Sequence, residues 1–345
     1  MTASDDLVVL RPQGLYCPAG DFFIDPWRPV ERAVITHAHA DHARAGHASY
    51  LAATPGAGVL RARLPGIALE SLDYGAALTM GGVRVSLHPA GHVLGSAQVR
   101  IEQHGRVWVV SGDYKVAPGF AAEDATCAPF EPVRCETFIS ESTFGLPVYR
   151  WDSQAAIMAE INRWWADNAA AGRASILYAY SLGKAQRLLA AIDASIGPIV
   201  CHGAVENVNA AYREAGVRLP ETLAALSLKR ADRGRALVIV PPSVRGSAWE
   251  KRFGSAADAF ASGWMLLRGA RRRQGVDRGF ALSDHADWPG LLAAIDASGA
   301  ERVIVTHGQV DVLVRHLAGL GLTAGAFATE FGGDDGAESP LAQAA

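Results

Sequence analysis

Cysteine is scarce in this chain of 345 residues: there are four, Cys17, Cys127, Cys135 and Cys201, and no two form a Cys-x-x-Cys pair. Such scatter excludes a disulfide framework and a thiolate-based zinc knuckle, and it predicts reduced, inert thiols. Charge of one sign is also missing. A formal net charge of −3 excludes a uniformly basic nucleic-acid coat, although it leaves room for a local basic groove. There is no apolar run of about eighteen residues to span a bilayer. The opening Met1-Thr2-Ala3-Ser4-Asp5-Asp6 has neither a basic region nor an apolar signal core. These absences predict a cytoplasmic chain with no membrane partner. No internal repeat is visible. With 50% of its positions hydrophobic, the chain is rich and long enough to bury the cores of two domains.

Histidine, in contrast, is concentrated. Residues 36 to 42 read Thr36-His37-Ala38-His39-Ala40-Asp41-His42, directly after the apolar run Ala33-Val34-Ile35. Imidazole nitrogen and carboxylate oxygen are ligands for Zn²⁺ and similar divalent ions, and a loop leaving a strand can turn all of them toward one point. The alternation of His37 and His39, followed by Asp41 and His42 on the next turn, suggests two metals.

Further segments follow in a fixed order. Asp25 ends Phe22-Phe23-Ile24-Asp25, His92 lies in Pro89-Ala90-Gly91-His92-Val93-Leu94-Gly95-Ser96, and Asp113 follows Val107-Trp108-Val109-Val110 in Ser111-Gly112-Asp113-Tyr114-Lys115. With the His-x-His-x-Asp-His segment, this order resembles the metallo-β-lactamase superfamily. Glu141 in Ile139-Ser140-Glu141-Ser142-Thr143, His285 in Ser283-Asp284-His285-Ala286-Asp287 and His307 in Val303-Ile304-Val305-Thr306-His307 resemble the later motifs of its β-CASP nuclease branch. Gly14-Leu15-Tyr16-Cys17-Pro18-Ala19-Gly20-Asp21, Ser181-Leu182-Gly183-Lys184-Ala185-Gln186-Arg187 and Pro241-Pro242-Ser243-Val244-Arg245-Gly246-Ser247 are similar to the bacterial ligase-associated DNA exonucleases.

The resemblance implies an α/β fold, a metallo-β-lactamase αββα sandwich with an inserted β-CASP α/β cap. The first domain would comprise residues 1–149 and 271–330, the cap 150–270, and 331–345 would be a disordered tail. It also implies two divalent ions, Zn with Mn as the alternative: His37, His39 and His92 on one, Asp41, His42 and His307 on the other, and Asp113 between them. Asp25 and Glu141 would orient a ligand imidazole or an ordered water, with plain strand-end carboxylates as the bland alternative. His285 would act as general acid or as donor to a phosphoryl oxygen. The implied activity is phosphodiester hydrolysis, as a DNA exonuclease in repair with a ligase and a helicase as partners. A ribonuclease of the same fold is the alternative, ahead of a small-molecule hydrolase or a non-catalytic scaffold.

Periodicity supports the division. Strand-like runs near 33–36, 83–88, 97–102 and 107–111 carry motifs at their ends. From Ser153 the pattern becomes helical to Gly172, with Ile157, Ile161 and Trp164 or Trp165 at helical spacing, and the tryptophans read as core. Strands then alternate with helices at 176–180, 198–201 and 236–240. Ser181 and Lys184 at a strand-to-helix junction fit either a phosphate contact or an ordinary helix cap. Arg245 between Ser243 and Ser247 fits either a phosphate pocket or a turn after Pro241-Pro242. Arg268, Arg271, Arg272 and Arg273, with Arg278 beyond, fit either a solvated face or contacts to a nucleic-acid backbone.

Overall fold

A computed structural model describes residues 6–331, apart from the side chains of Ala270 and Arg271. The tail expected at 331–345 lies outside the described residues, save for Phe331. The chain is mixed α/β and divides into two units. Among the described residues, the first comprises 6–123, Cys127–Arg150 and 285–331; the second comprises Asp124–Thr126 and Trp151–Asp284. Among the described residues, no helix is long and apolar enough to cross a membrane.

The first unit holds two sheets. Val9–Arg11, Gly14–Cys17, Phe22–Ile24, Arg32–Val34, Ser49–Ala53 and Leu69–Leu72 form one, in chain order. The other runs Thr323–Ala326, Arg302–Gly308, Thr137–Ser142, Arg106–Val110, Ala97–Gln103, Val83–Pro89, Ala77–Met80. Alternation along these strands sorts their side chains onto two faces. Val85, Leu87, Val99, Ile101, Trp108, Ile139 and Ile304 meet Leu15, Phe22, Ile24, Val34 and Leu51 of the first sheet. On the opposite face Val109, Phe138, Val303 and Val305 pack against Leu291, Ala294 and Ile295 of the helix Trp288–Ser298 and Leu313 and Leu317 of the helix Val310–Gly319. Strand ends that leave this packing carry every motif histidine of the first half.

The second unit is built on a parallel sheet ordered Ile199–Cys201, Leu237–Val240, Ser175–Tyr178, Ala257–Ala261, Arg278–Phe280. Both its faces are covered, as parallel sheets require. Leu177, Ile239 and Ala259 pack on one side with Ile161, Trp165 and Leu188; Ile176, Val238 and Phe260 pack on the other with Val244, Phe253 and Met265. The helix Gln154–Ala170 starts at Ser153, whose side chain accepts from the Ala156 amide, and both its tryptophans are buried. The boundary expected at 270 is corrected to Asp284. Arg278–Phe280 pairs in parallel with Ala259–Ala261, so the segment assigned to the first domain extends the second unit's sheet instead.

This unit contains a buried ionic network. Lys184 Nζ lies 2.9 Å from Asp284 Oδ2, Arg187 Nε 2.7 Å from Asp284 Oδ1, and an Arg187 terminal nitrogen 3.0 Å from Asp124 Oδ2. Arg187 also donates to Gln154 Oε1 at 3.0 Å, and Lys184 to the Leu282 carbonyl at 3.0 Å. Removing one member leaves an uncompensated charge away from water, so Arg187→Met is expected to lower stability by about 3–5 kcal/mol. Urea unfolding followed by circular dichroism measures this, and a loss below about 1 kcal/mol would mean that water reaches Asp124.

Candidate metal centre

The site is assembled where strands end. After Phe22–Ile24 the backbone turns left-handed at Asp25 (φ 44°), a conformation that short polar residues tolerate best. The Asp25 carboxylate thereby accepts from the Thr36 amide at 2.7 Å, the Thr36 hydroxyl at 2.5 Å and His42 Nδ1 at 2.7 Å. After Val83–Pro89 the chain turns through Gly91 (φ 75°), where any Cβ would collide with the Lys115 carbonyl oxygen, and this turn delivers His92. Gly112 (φ 58°) plays the same part before Asp113, because a Cβ there would meet Thr36 at 2.6 Å. His307 stands near the end of Arg302–Gly308, and Glu141 lies within Thr137–Ser142.

Asp113 lies at the centre of the cluster. One group of ligand atoms, from His37, His39, His92 and Asp113, lies within 4.8 Å of one another; a second comes from His42, Asp113 and His307; a third from Asp113, Glu141 and His285. His39 Nδ1 is 3.1 Å from His37 Nε2 and 3.0 Å from His92 Nε2. Asp113 Oδ2 is 3.4 Å from both His37 Nε2 and His42 Nε2, while Oδ1 is 3.1 Å from His307 Nε2. Asp41 Oδ2 is 3.6 Å from His42 Nε2. The ligand candidates His37, His39, His42, His92 and His307 are thus gathered around one carboxylate, with Asp41 beside His42.

Hydrogen bonds decide which ring nitrogen carries the proton. The Thr36 hydroxyl donates to Asp25, so it accepts from His37 Nδ1 at 3.0 Å. Thr306 repeats this, donating to the Ser140 carbonyl at 3.2 Å and accepting from His307 Nδ1 at 2.9 Å. His42 Nδ1 donates to Asp25. In all three rings the Nε2 lone pair then faces Asp113, which as a carboxylate only accepts. Acceptors opposed at these distances repel unless a cation lies among them. Asp41 Oδ1, His42 Nε2 and Asp113 Oδ1 are moreover buried with no hydrogen-bond partner. A set of nitrogen and oxygen donors with fixed tautomers fits divalent ions of the zinc type.

The electrostatics agree. Burial works to raise the Asp113 pKa, but His42 and His37 beside it hold its carboxyl well below the ordinary range. Burial works to lower that of His42, yet Asp113 and Asp41 raise it well above the usual imidazole value. Burial together with His42 pushes His37 well down. The His42 and Asp113 shifts share one cause, buried carboxylates that favour positive charge beside them, whereas burial and the neighbouring His42 favour a neutral His37.

Next to this cluster, His285 Nδ1 lies 3.0 Å from both Glu141 oxygens, and its ring lies 4.6 Å from that of His92. Glu141 also accepts from the Tyr114 amide at 2.7 Å and the Thr143 hydroxyl at 2.5 Å, so the carboxylate that aims His285 is itself fixed.

The cap candidates fare differently. Lys184 is corrected: it is fully buried, and its ammonium is engaged by Asp284 and Leu282, which removes it from phosphate contact. The Ser181 carbonyl accepts from Gln186 Nε2 at 3.0 Å, within the start of the helix Lys184–Ala191. Arg245 is corrected in part. Its guanidinium binds the carbonyls of Gln274 and Gly275 at the end of the helix Arg268–Gln274 and lies 5.6 Å over the Tyr178 ring. Arg272 and Arg273 are exposed on that helix, while the side chain of Arg271 lies outside the described residues.

Three positioning residues are absent from the ligand and acid set that the motifs suggest. Thr36 and Thr306 could have been found from the repeated Ile35-Thr36-His37 and Val305-Thr306-His307. Arg63, which donates to the Ala38 carbonyl between His37 and His39, could not, since it comes from a separate helix, Ala57–Arg63.

No family model matches the chain. It is 34% identical over 319 residues to a probable DNA ligase of Opitutus terrae, covering 90% of this chain and 30% of that protein. It is 31% identical over 134 residues to endoribonuclease ysh1 of Aspergillus fumigatus and 32% identical over 127 residues to endoribonuclease YSH1 of Candida albicans; each match covers 36% of this chain and 14% of the relative. The chain thus spans less than a third of the length of these relatives. A solved structure from Enterococcus faecalis, of a protein of unknown function, matches with a TM-score of 0.58 at 12% identity, covering 87% of this chain and 79% of that one. That likeness concerns the fold alone.

Proposed function

We propose that this chain, which resembles the β-CASP branch of the metallo-β-lactamase superfamily and has endoribonucleases among its relatives, is a metal-dependent nuclease that hydrolyses nucleic-acid phosphodiesters. The observation that carries the reading is the convergence of the His37, His42 and His307 lone pairs on Asp113. His37, His39 and His92 would hold one divalent ion, Asp41, His42 and His307 the other, and Asp113 both; zinc suits the donors, with manganese as the alternative. Bound there, such ions lower the pKa of a water and offset charge on a phosphoryl group. The first unit would be an αββα sandwich and the second its inserted cap.

The remaining roles belong to the protein's own groups. Asp25 orients His42, and Thr36 and Thr306 orient His37 and His307. Glu141 accepts the Nδ1 proton of His285, which turns the Nε2 edge toward substrate, either to protonate the leaving oxygen or to hydrogen-bond a phosphoryl oxygen. Exposed Arg272 and Arg273 offer charge for the strand backbone.

The preferred substrate is DNA, cleaved from an end during repair in the cytoplasm, with a ligase and a helicase acting on the same lesions. What favours DNA is the extent of the match to the probable DNA ligase. The match to endoribonucleases over the shorter segment favours RNA as the second reading. End-labelled single-stranded DNA and RNA of one sequence, each with and without a 5′-phosphate, are to be incubated with metal-reconstituted protein. Progressive shortening of DNA alone is the expected result; cleavage of RNA alone would replace the reading with its alternative, and no cleavage of either would end it.

A further inference from the structure

The last described residues fold back over the centre as a strap. Beyond the strand Thr323–Ala326, the Phe327 amide donates to the Val305 carbonyl at 3.0 Å, and the Thr329 hydroxyl to the Thr306 carbonyl at 3.0 Å. The strap therefore tracks the two residues that lead into His307. Arg44 then donates to the Glu330 carbonyl at 3.2 Å, and Arg28 meets the Glu330 carboxylate at 2.6 Å. That ion pair is exposed and contributes little by itself. Its effect is geometric: it brings in the next residue, Phe331.

Phe331 is buried. Its ring stacks on His42 with centroids 4.4 Å apart and planes within 12°, and it meets His307 edge-on at 5.5 Å and Trp27 edge-on at 5.6 Å. The His37 centroid also lies 4.2 Å from that of His42, with the two planes tilted by 42°. Hydrogen bonds at Nδ1 fix where His42 and His307 point but leave each ring free to rock about that bond. A flat neighbour removes this freedom. His37, His39 and His92 restrain one another through mutual edge contacts of 4.8 Å, whereas His42 and His307 are 5.8 Å apart and share Phe331.

We propose that Phe331 is a positioning residue for the His42–His307 half of the centre, so that retention of the ion on that side depends on the strap while retention of the first ion does not. The proposal rests on the assignment of two ions to the centre.

The test is metal binding, which is independent of nuclease activity. Chelator-stripped wild type, Phe331→Ala, Phe331→Leu and Phe331→Tyr are titrated with Zn²⁺ alone against a chromophoric competitor, and thermal unfolding of each stripped protein checks folding. Wild type is expected to take up two equivalents. Phe331→Ala should weaken the second by roughly 10–100-fold, the usual cost of losing a residue that orients a ligand, and leave the first within about twofold. Phe331→Leu, which keeps bulk without a flat face, should fall between, and Phe331→Tyr should match wild type. Equal weakening of both ions in Phe331→Leu, or an unchanged second ion in Phe331→Ala, overturns the role of the strap. Fewer than two equivalents on the wild type would overturn the two-ion assignment itself, and the proposal with it.

Discussion

Asp113→Ala is expected to reduce strand cleavage to background and to lower bound metal below that of any variant at a residue assigned to one ion. The reason lies in its two oxygens. Oδ2 faces His37 and His42 and Oδ1 faces His307, so one carboxylate supplies negative charge to both halves of the cluster. His39→Ala, in contrast, would remove a neutral ligand from one half. Asp113→Asn separates charge from shape, since it keeps the size of the side chain but gives each half a weaker or inappropriate neighbour. Elemental analysis after gel filtration decides the matter. Two equivalents retained in Asp113→Ala would refute the shared-ligand role.

The second large effect is expected at His285. If it acts on the phosphoryl group and holds no metal, His285→Ala keeps full metal content while cleavage falls by roughly 10²–10⁴-fold, the size of a general-acid contribution. Glu141→Gln should give a smaller loss, because the amide oxygen can still accept from Nδ1 but no longer stabilises a charged imidazolium. Asp113, Glu141 and His285 are close enough to hold a cation themselves. Loss of a metal equivalent in His285→Ala would therefore move His285 from acid to ligand. A small activated diester makes the distinction sharper: it has a good leaving group, so cleavage of it should depend less on His285 than strand cleavage does if the residue is an acid.

The clustering of the candidate ligands was legible because these residues leave strands in short local segments, and strand ends can be read from sequence. His37, His39, Asp41 and His42 lie within six positions, Asp113 and His307 each follow an apolar run, and His92 follows an alternating one. What decides a side chain's fate at long range was not. Lys184 sits after a glycine at a helix start, as a phosphate-binding lysine would, but its partner Asp284 is far along the chain. The return from the second unit was misplaced for a related reason. Arg278–Phe280 is three residues long with a single large apolar side chain, too little pattern to announce a strand, and only its pairing with Ala259–Ala261 reveals it. Phe331 gave no signal at all, since a lone aromatic in a small, polar tail carries no periodicity.

The buried charges of the second unit also constrain how the sequence can drift. Two cations, Lys184 and Arg187, face two carboxylates, Asp284 and Asp124, so the set is neutral and stays so only when a cation and a carboxylate change together. A single change strands a charge, whereas exchanging opposed partners together for apolar residues of like volume can be neutral or better. Among relatives, positions 184 and 284 should therefore covary, both charged or both apolar, and the same should hold for 187 with 124 and 284. An aligned set of such sequences would carry this as a correlated block, separate from the ligand positions, whose identities answer to metal chemistry and not to one another.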